Sequence, residues 1–177
     1  MNVTLKYIDE DDKCYGLVGT AVGMLVYECD DHLLGLSLDN ADPDEAVVLA
    51  SEHYFSGNPQ MSAKIVWNNL LSQYRMMVAM TMSNYLCRAL VHRHVNSIDP
   101  FEKNLLRRII VEEGHDTCQL DDDEIDTMFT SGYTHLHRVF SHSGVQKVIH
   151  SFASDLLHKR SMDHEEIENQ LMALRMI

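Results

Sequence analysis

The strongest constraint on this fold is a long stretch that contains neither proline nor glycine, from Ser62 to Val95. At 1.5 Å per residue, a helix of that length spans roughly 50 Å, which is longer than a typical globular helix. Apolar residues recur through it at helical spacing, and residues 76–82 are apolar nearly all round. The sequence therefore predicts a long central helix over about 61–95, either kinked or extended through the middle of the fold.

Capping residues and apolar periodicity predict further helices on both sides of the central one. Gly16, Gly19 and Gly23 lower the helix propensity of the first, but their bare faces allow a neighbouring helix to approach closely. Asp-Pro pairs begin two helices, and acidic or serine caps begin three others. The predicted helices cover about 15–28, 42–55, 61–95, 99–114, 124–142, 144–160 and 163 onward.

Signals for strands are few in this chain. Leu34, Leu36 and Leu38 alternate with small or polar residues, which is weakly typical of a strand, and residues 3–8 are either extended or a frayed lead-in. No repeat, linker or low-complexity segment divides the sequence. We therefore expect a single all-α domain over residues 1–177, a bundle of about six to seven helices around the long central helix.

The net charge of −13, from 27 acidic and 14 basic residues, disfavours negatively charged binding partners. An acidic chain repels nucleic-acid backbones and anionic membrane surfaces, so we expect neither as a partner. The first residues are acidic where a signal peptide is basic, and asparagines interrupt the apolar stretch at 65–87. These observations favour a cytoplasmic protein.

The charge is also unevenly distributed along the chain. Residues 1–60 contain 12 acidic residues against Lys6 and Lys13, whereas residues 61–114 have a net charge of +3. We expect the acidic N-terminal third to pack on the basic central segment, so that their charges neutralise each other. The four cysteines form no CxxC motif, and we expect free, reduced thiols with structural roles.

The eleven histidines are the most suggestive feature for chemistry. His135 and His142 share one face of a predicted helix, and His150 and His158 share one face of the next. If both faces point inward, four imidazoles converge as a transition-metal site or a proton-transfer site requires. The alternative, which we prefer, is a solvated polar surface.

His115 and Asp116 are a second candidate pair of metal ligands. The dipeptide is similar to the paired ligands of HD-type phosphohydrolases, for which His92 or His94 would supply an upstream histidine. We expect it in an acidic loop that begins with Gly114 and lacks the apolar helical surroundings that would bury a metal centre. Together with the four-histidine set, this pair defines the alternative function, a metal-dependent hydrolase or oxidase with a transition metal.

Methionines in the central helix suggest a different function. Met76, Met77, Met80 and Met82 either line an adaptable partner groove or fill the core. If the helix is only half covered within one chain, its remaining apolar face needs a second copy. The leading hypothesis is therefore a non-enzymatic interaction or scaffold protein without a cofactor, which binds a second copy of itself or another protein.

Overall fold

A computed structural model describes residues 6–40, 43–50 and 63–176, with the backbone alone at 43–44 and 63–66. Within these residues the chain is an all-α helical bundle with one small sheet, which confirms the predicted fold class. The helices are α1 (Glu10–Val26), α2 (Pro43–Ala46), α3 (Ala63–Leu86), α4 (Pro100–Cys118), α5 (Asp122–Ser141), α6 (Ser143–Lys159) and α7 (His164–Leu171). The strands are β1 (Leu33–Ser37), β2 (Val47–Leu49) and β3 (Ser161–Asp163).

The predicted long helix is present and changes type near its end. α3 continues directly into a π-helical segment, Cys87–His92, in which the Arg93 N–H donates to the Arg88 carbonyl at 2.9 Å. Each hydrogen bond of a π-helix spans one more residue than that of an α-helix, and such segments often lie at functional sites. The chain leaves this segment through His94, whose φ of 53° is in the left-handed region.

The bare glycine face of α1 allows α3 to approach very closely. A Cβ on Gly19 would overlap the Cβ of Cys87 and lie 2.6 Å from the carbonyl oxygen of Ser83. A Cβ on Gly23 would overlap the Ser83 side chain. As a result α1 is enclosed along most of its length, and it also contacts α6, α7 and the π-helical segment.

A buried ion pair joins the start of α1 to the π-helical segment. The Arg88 guanidinium donates to the Asp12 carboxylate and to the Lys6 carbonyl, and lies 4.8 Å from the centroid of the Tyr7 ring. Burial alone raises the pKa of Asp12, but hydrogen bonds from Arg88 and from the Ile8 N–H outweigh it. The pKa of Asp12 is therefore lowered, and the resulting stabilisation is lost as the pH falls through that lowered value.

Local capping signals locate most helix ends. Asp121 and Asp163 both form capping boxes, with Glu124 and Glu166 respectively, as expected for acidic residues at helix starts. By contrast α6 begins at Ser143 itself, and its N-cap residue His142 makes no side-chain capping bond.

The end of α4 differs from the prediction. Gly114 does not stop the helix, which continues to Cys118. A Cβ on Gly114 would lie 2.6 Å from the Tyr74 hydroxyl oxygen, so this glycine makes room for a buried tyrosine. The helix is instead terminated at Gln119, which adopts the left-handed conformation with φ of 51°.

The prediction of a helix over 42–55 is wrong for residues 43–50, the part of this range that the structure describes. α2 ends after four residues, and β2 then pairs antiparallel with β1, with Leu36 opposite Val47. The Asp-Pro signal accounts for one helical turn only, because residues 47–49 find a strand partner elsewhere in the sequence. The strand-like leucine alternation is confirmed as β1, whose other neighbour in the sheet is β3. Residues 3–5 and 51–55 lie outside the described residues.

The core lies where α1, α3, α5 and α6 meet. Its largest fully buried side chains include Tyr74, Phe140 and Phe152. Among the described residues, no helix combines the length and the apolar character needed to cross a membrane.

The close packing of α1 on α3 gives a first prediction, for Gly19→Ala. The new methyl group meets backbone and a buried Cβ, so we expect the free energy of unfolding to fall by about 2 kcal/mol, measured by urea denaturation. Gly144→Ala is the matched control, because that half-buried position opens α6 and alanine favours a helix by about 1 kcal/mol over glycine. Equal effects of the two substitutions would contradict the close-packing argument.

Candidate functional site

Three imidazoles and one phenol meet beside the π-helical segment, and we call Tyr15, His92, His94 and His150 the imidazole cluster. The ring of His92 stacks on Tyr15 with centroids 4.7 Å apart. The Tyr15 hydroxyl lies 2.7 Å from Nδ1 of His150, and the rings of His94 and His150 are 6.2 Å apart. The cluster joins α1, the end of the long helix and α6, so it exists only in the folded chain.

The surroundings fix the protonation states of the Tyr15–His150 pair. Burial lowers the pKa of His150, and the nearby imidazoles of His94 and His92 lower it further. Burial raises the pKa of Tyr15, with smaller contributions from Cys87, Cys14 and Asp11. At neutral pH the pair therefore consists of a protonated phenol and an uncharged imidazole, and the tautomer of His150 decides which of the two donates the hydrogen bond.

Of the four predicted histidines, the structure places only His150 beside other imidazoles. His135 is exposed and its Nδ1 lies 3.1 Å from the Arg138 guanidinium. His142 is the exposed N-cap residue of α6, and His158 is exposed near the end of that helix. Within the described residues no group of three or more His, Cys, Asp or Glu side chains is arranged to hold a metal ion.

The second candidate pair, His115 and Asp116, is also at the surface. Both residues belong to the last turns of α4 rather than to a loop. Nε2 of His115 lies 2.8 Å from an Asp122 carboxylate oxygen and so connects the end of α4 to the start of α5. His115 therefore connects two helices, a role that the sequence does not reveal.

The four candidate methionines differ in burial. Met82 is fully buried in the core, where its terminal methyl would meet any side chain at Gly132. Met76, Met77 and Met80 are partly buried and pack against that core. These three retain some accessible surface, whereas Met82 does not.

All four thiols are free, as expected. Burial raises the pKa of Cys14 to about 12 and that of Cys29 to about 11. The pKa values of Cys87 and Cys118 are raised for the same reason. A reactive thiolate needs a lowered pKa, so these residues behave as buried apolar groups.

An apolar groove with an acidic edge, which we call the acidic groove, lies beside the end of α1, and no local sequence signal predicts it. Its volume is about 640 Å³, within the range of ligand-binding clefts. The edge is formed by Glu28, Asp30 and Asp31, which follow α1. The apolar floor comes from the last turns of α1, from the C-terminal segment and from the α5–α6 junction, with side chains of Val22, Leu25, Val26, Val139, Val145 and Leu174.

The chain's own C-terminal segment lines part of this groove. Leu174 contributes to the apolar floor, and the guanidinium of Arg175 lies 2.5 Å from the carboxylate of Asp30. The Asp30 side chain is about nine-tenths buried, whereas that of Arg175 is about half exposed. At this place the groove therefore combines apolar surface with an acidic side chain that pairs with a guanidinium.

Comparison of the chain with models of protein families, with curated proteins and with solved structures gives no match. The site must therefore be interpreted from its own geometry.

The imidazole cluster gives a second prediction, for the double substitution His92→Ala and His94→Ala. Removing two neighbouring imidazoles removes positive charge at low pH and so should raise the pKa of His150 toward its ordinary value. The measurement is a pH titration of the His150 ring resonances by NMR. His135→Ala, which alters a histidine paired with Arg138 on α5, is the control and should leave this titration unchanged.

Proposed function

We propose that this is a non-enzymatic interaction protein that binds a basic, apolar segment of a partner protein in the acidic groove. The observation that supports this most directly is the ion pair between Asp30 at the groove edge and Arg175 of the C-terminal segment, next to an apolar floor to which Leu174 contributes. The groove edge thus already pairs with a guanidinium beside apolar surface. The remaining floor, from Val22 to Val26 on α1 and Val139 on α5, extends beyond this segment.

The partner segment that fits best is an amphipathic helix with basic residues beside its apolar face. Such a helix places apolar side chains at positions i, i+3, i+4 and i+7 along a groove, as in other helix-in-groove complexes. Glu28 and Asp31 are exposed at the groove edge and would face the basic residues. The chain's net charge of −13 would also attract a basic partner over longer distances.

The proposal includes a cytoplasmic location. Its support is the set of four free thiols, since secreted proteins more commonly pair their cysteines in disulfides. No cofactor is needed for this function.

The third prediction tests binding with a designed peptide. The probe is a fluorescein-labelled amphipathic helix with leucines on one face and lysines flanking them, compared with the same peptide carrying glutamates in place of the lysines. We expect fluorescence anisotropy to rise on titration with the full chain for the lysine peptide only. The binding should weaken with added salt, because ions screen exposed charges.

Substitutions in the chain connect this binding to the groove. Val26→Glu places a charge on the floor and should reduce affinity tenfold or more, whereas Asp116→Lys, at an exposed position on α4, is the control. Arg175→Ala frees Asp30 and should increase affinity by roughly two- to fivefold, the range of a partly exposed ion pair. Unchanged affinity in both groove variants would refute the proposed site.

Self-association through the long helix is a second proposal, and a separate observation supports it. Trp67 on α3 is 42% exposed, and Leu70 and Leu71 on the same helix are only partly buried. Met77, which is partly buried and lies seven residues after Leu70, continues this incompletely covered side. A second copy packed against these residues would bury them.

The fourth prediction follows from Trp67, the only tryptophan in the chain. On self-association its fluorescence emission should shift to shorter wavelength with rising protein concentration, and light scattering should give twice the chain mass. Trp67→Lys should remain monomeric. A constant mass at the monomer value over the whole concentration range would exclude this second proposal.

A further inference from the structure

A small cleft lies where the end of the long helix meets α5 and α6, and we call it the His94–His137 cleft. Its volume is about 280 Å³, at the lower limit for ligand sites, so it suits a small molecule. Leu90 and Val95 form an apolar side. The polar side chains that line it are His94, Asn96, His137, Ser141 and Gln146.

The polar side chains share one property, which is that all of them can donate a hydrogen bond and none is a carboxylate. This composition is unusual in a chain with 27 acidic residues. Two of the donors are held in place: Gln146 donates to the Phe140 carbonyl at 2.9 Å, and the Ser141 hydroxyl lies 3.4 Å from Nδ1 of His137. Imidazole, amide and hydroxyl donors without a competing anion are suited to a negatively charged ligand.

His94 lines this cleft in the left-handed backbone conformation. Its φ of 53° is uncommon for a residue with a side chain, and it lies two residues after the end of the π-helical segment. Its ring also lies 6.2 Å from that of His150, so the cleft adjoins the imidazole cluster. Residues held in such conformations are concentrated at binding sites and active sites.

We propose that the His94–His137 cleft binds a small organic oxyanion, a carboxylate or a phosphate ester with a short apolar part. The imidazoles and the Ser141 hydroxyl would donate to the anion, and Leu90 and Val95 would contact the apolar part. The first turn of α6 lies between Ser141 and Gln146 and contains no acidic residue, so its dipole adds a favourable field. This inference does not depend on the acidic groove.

The experiment is a titration of the full chain with two probes, sodium phosphate and sodium acetate, followed by amide chemical shifts in NMR spectra. Sodium chloride at equal ionic strength is the reference. We expect saturable shifts at Asn96 and Ser141 with one or both probes. Phosphate alone, acetate alone or both would each support the site and assign its preferred anion, whereas no saturation up to roughly 10 mM of either would overturn it.

Substitutions separate specific binding from a general charge effect. His137→Ala should weaken binding about tenfold or more, because a hydrogen bond to a charged group is lost. His135→Ala, two residues away on the same helix, is the matched control and should change affinity less than twofold. Equal loss in both variants would overturn the proposal.

A second variant distinguishes loss of anion binding from loss of folding. His94→Gly removes the imidazole but tolerates the left-handed backbone, so we expect weaker anion binding together with a higher melting temperature. Undiminished anion binding in His94→Gly would overturn the proposal, because it would show that the anion does not use this cleft.

Discussion

The contact of α1 with α3 through bare glycine backbone is the constraint on which the other features depend. Because Gly19 and Gly23 have no side chain, Ser83 and Cys87 lie directly against α1. One residue further along, Arg88 reaches Asp12, and the following turn brings His92 onto Tyr15. A bulkier residue on this face of α1 would separate the helices and so disturb both the buried ion pair and the imidazole cluster.

The individual ion pairs of the structure follow the net charges of the sequence segments only in part. The ion pair between Asp12 and Arg88 joins the acidic N-terminal third to the basic central segment. Three further acids of that third instead bind arginines from the C-terminal part: Arg160 contacts Glu10 and Asp39, and Arg175 contacts Asp30. Segment net charge predicts overall attraction, but the individual partners depend on how the helices are arranged in space.

Features that depend on local sequence could be predicted, and those that depend on distant residues could not. The caps at Asp121 and Asp163 and the long helix follow from neighbouring residues, so the helical bundle was predictable. Strand β2 was not, because it needs β1 as a partner. Likewise the imidazole cluster joins three elements, and the only local signal was the pair His92 and His94 at the end of the predicted long helix.

The three buried thiols give this fold a set of internal reporters of local opening. Cys14, Cys87 and Cys118 are almost inaccessible, and each lies in a different helical element. A thiol-specific reagent modifies such a residue only while its element is transiently open, at a rate proportional to the open population. The order in which the cysteines become labelled would therefore rank the elements by their local stability.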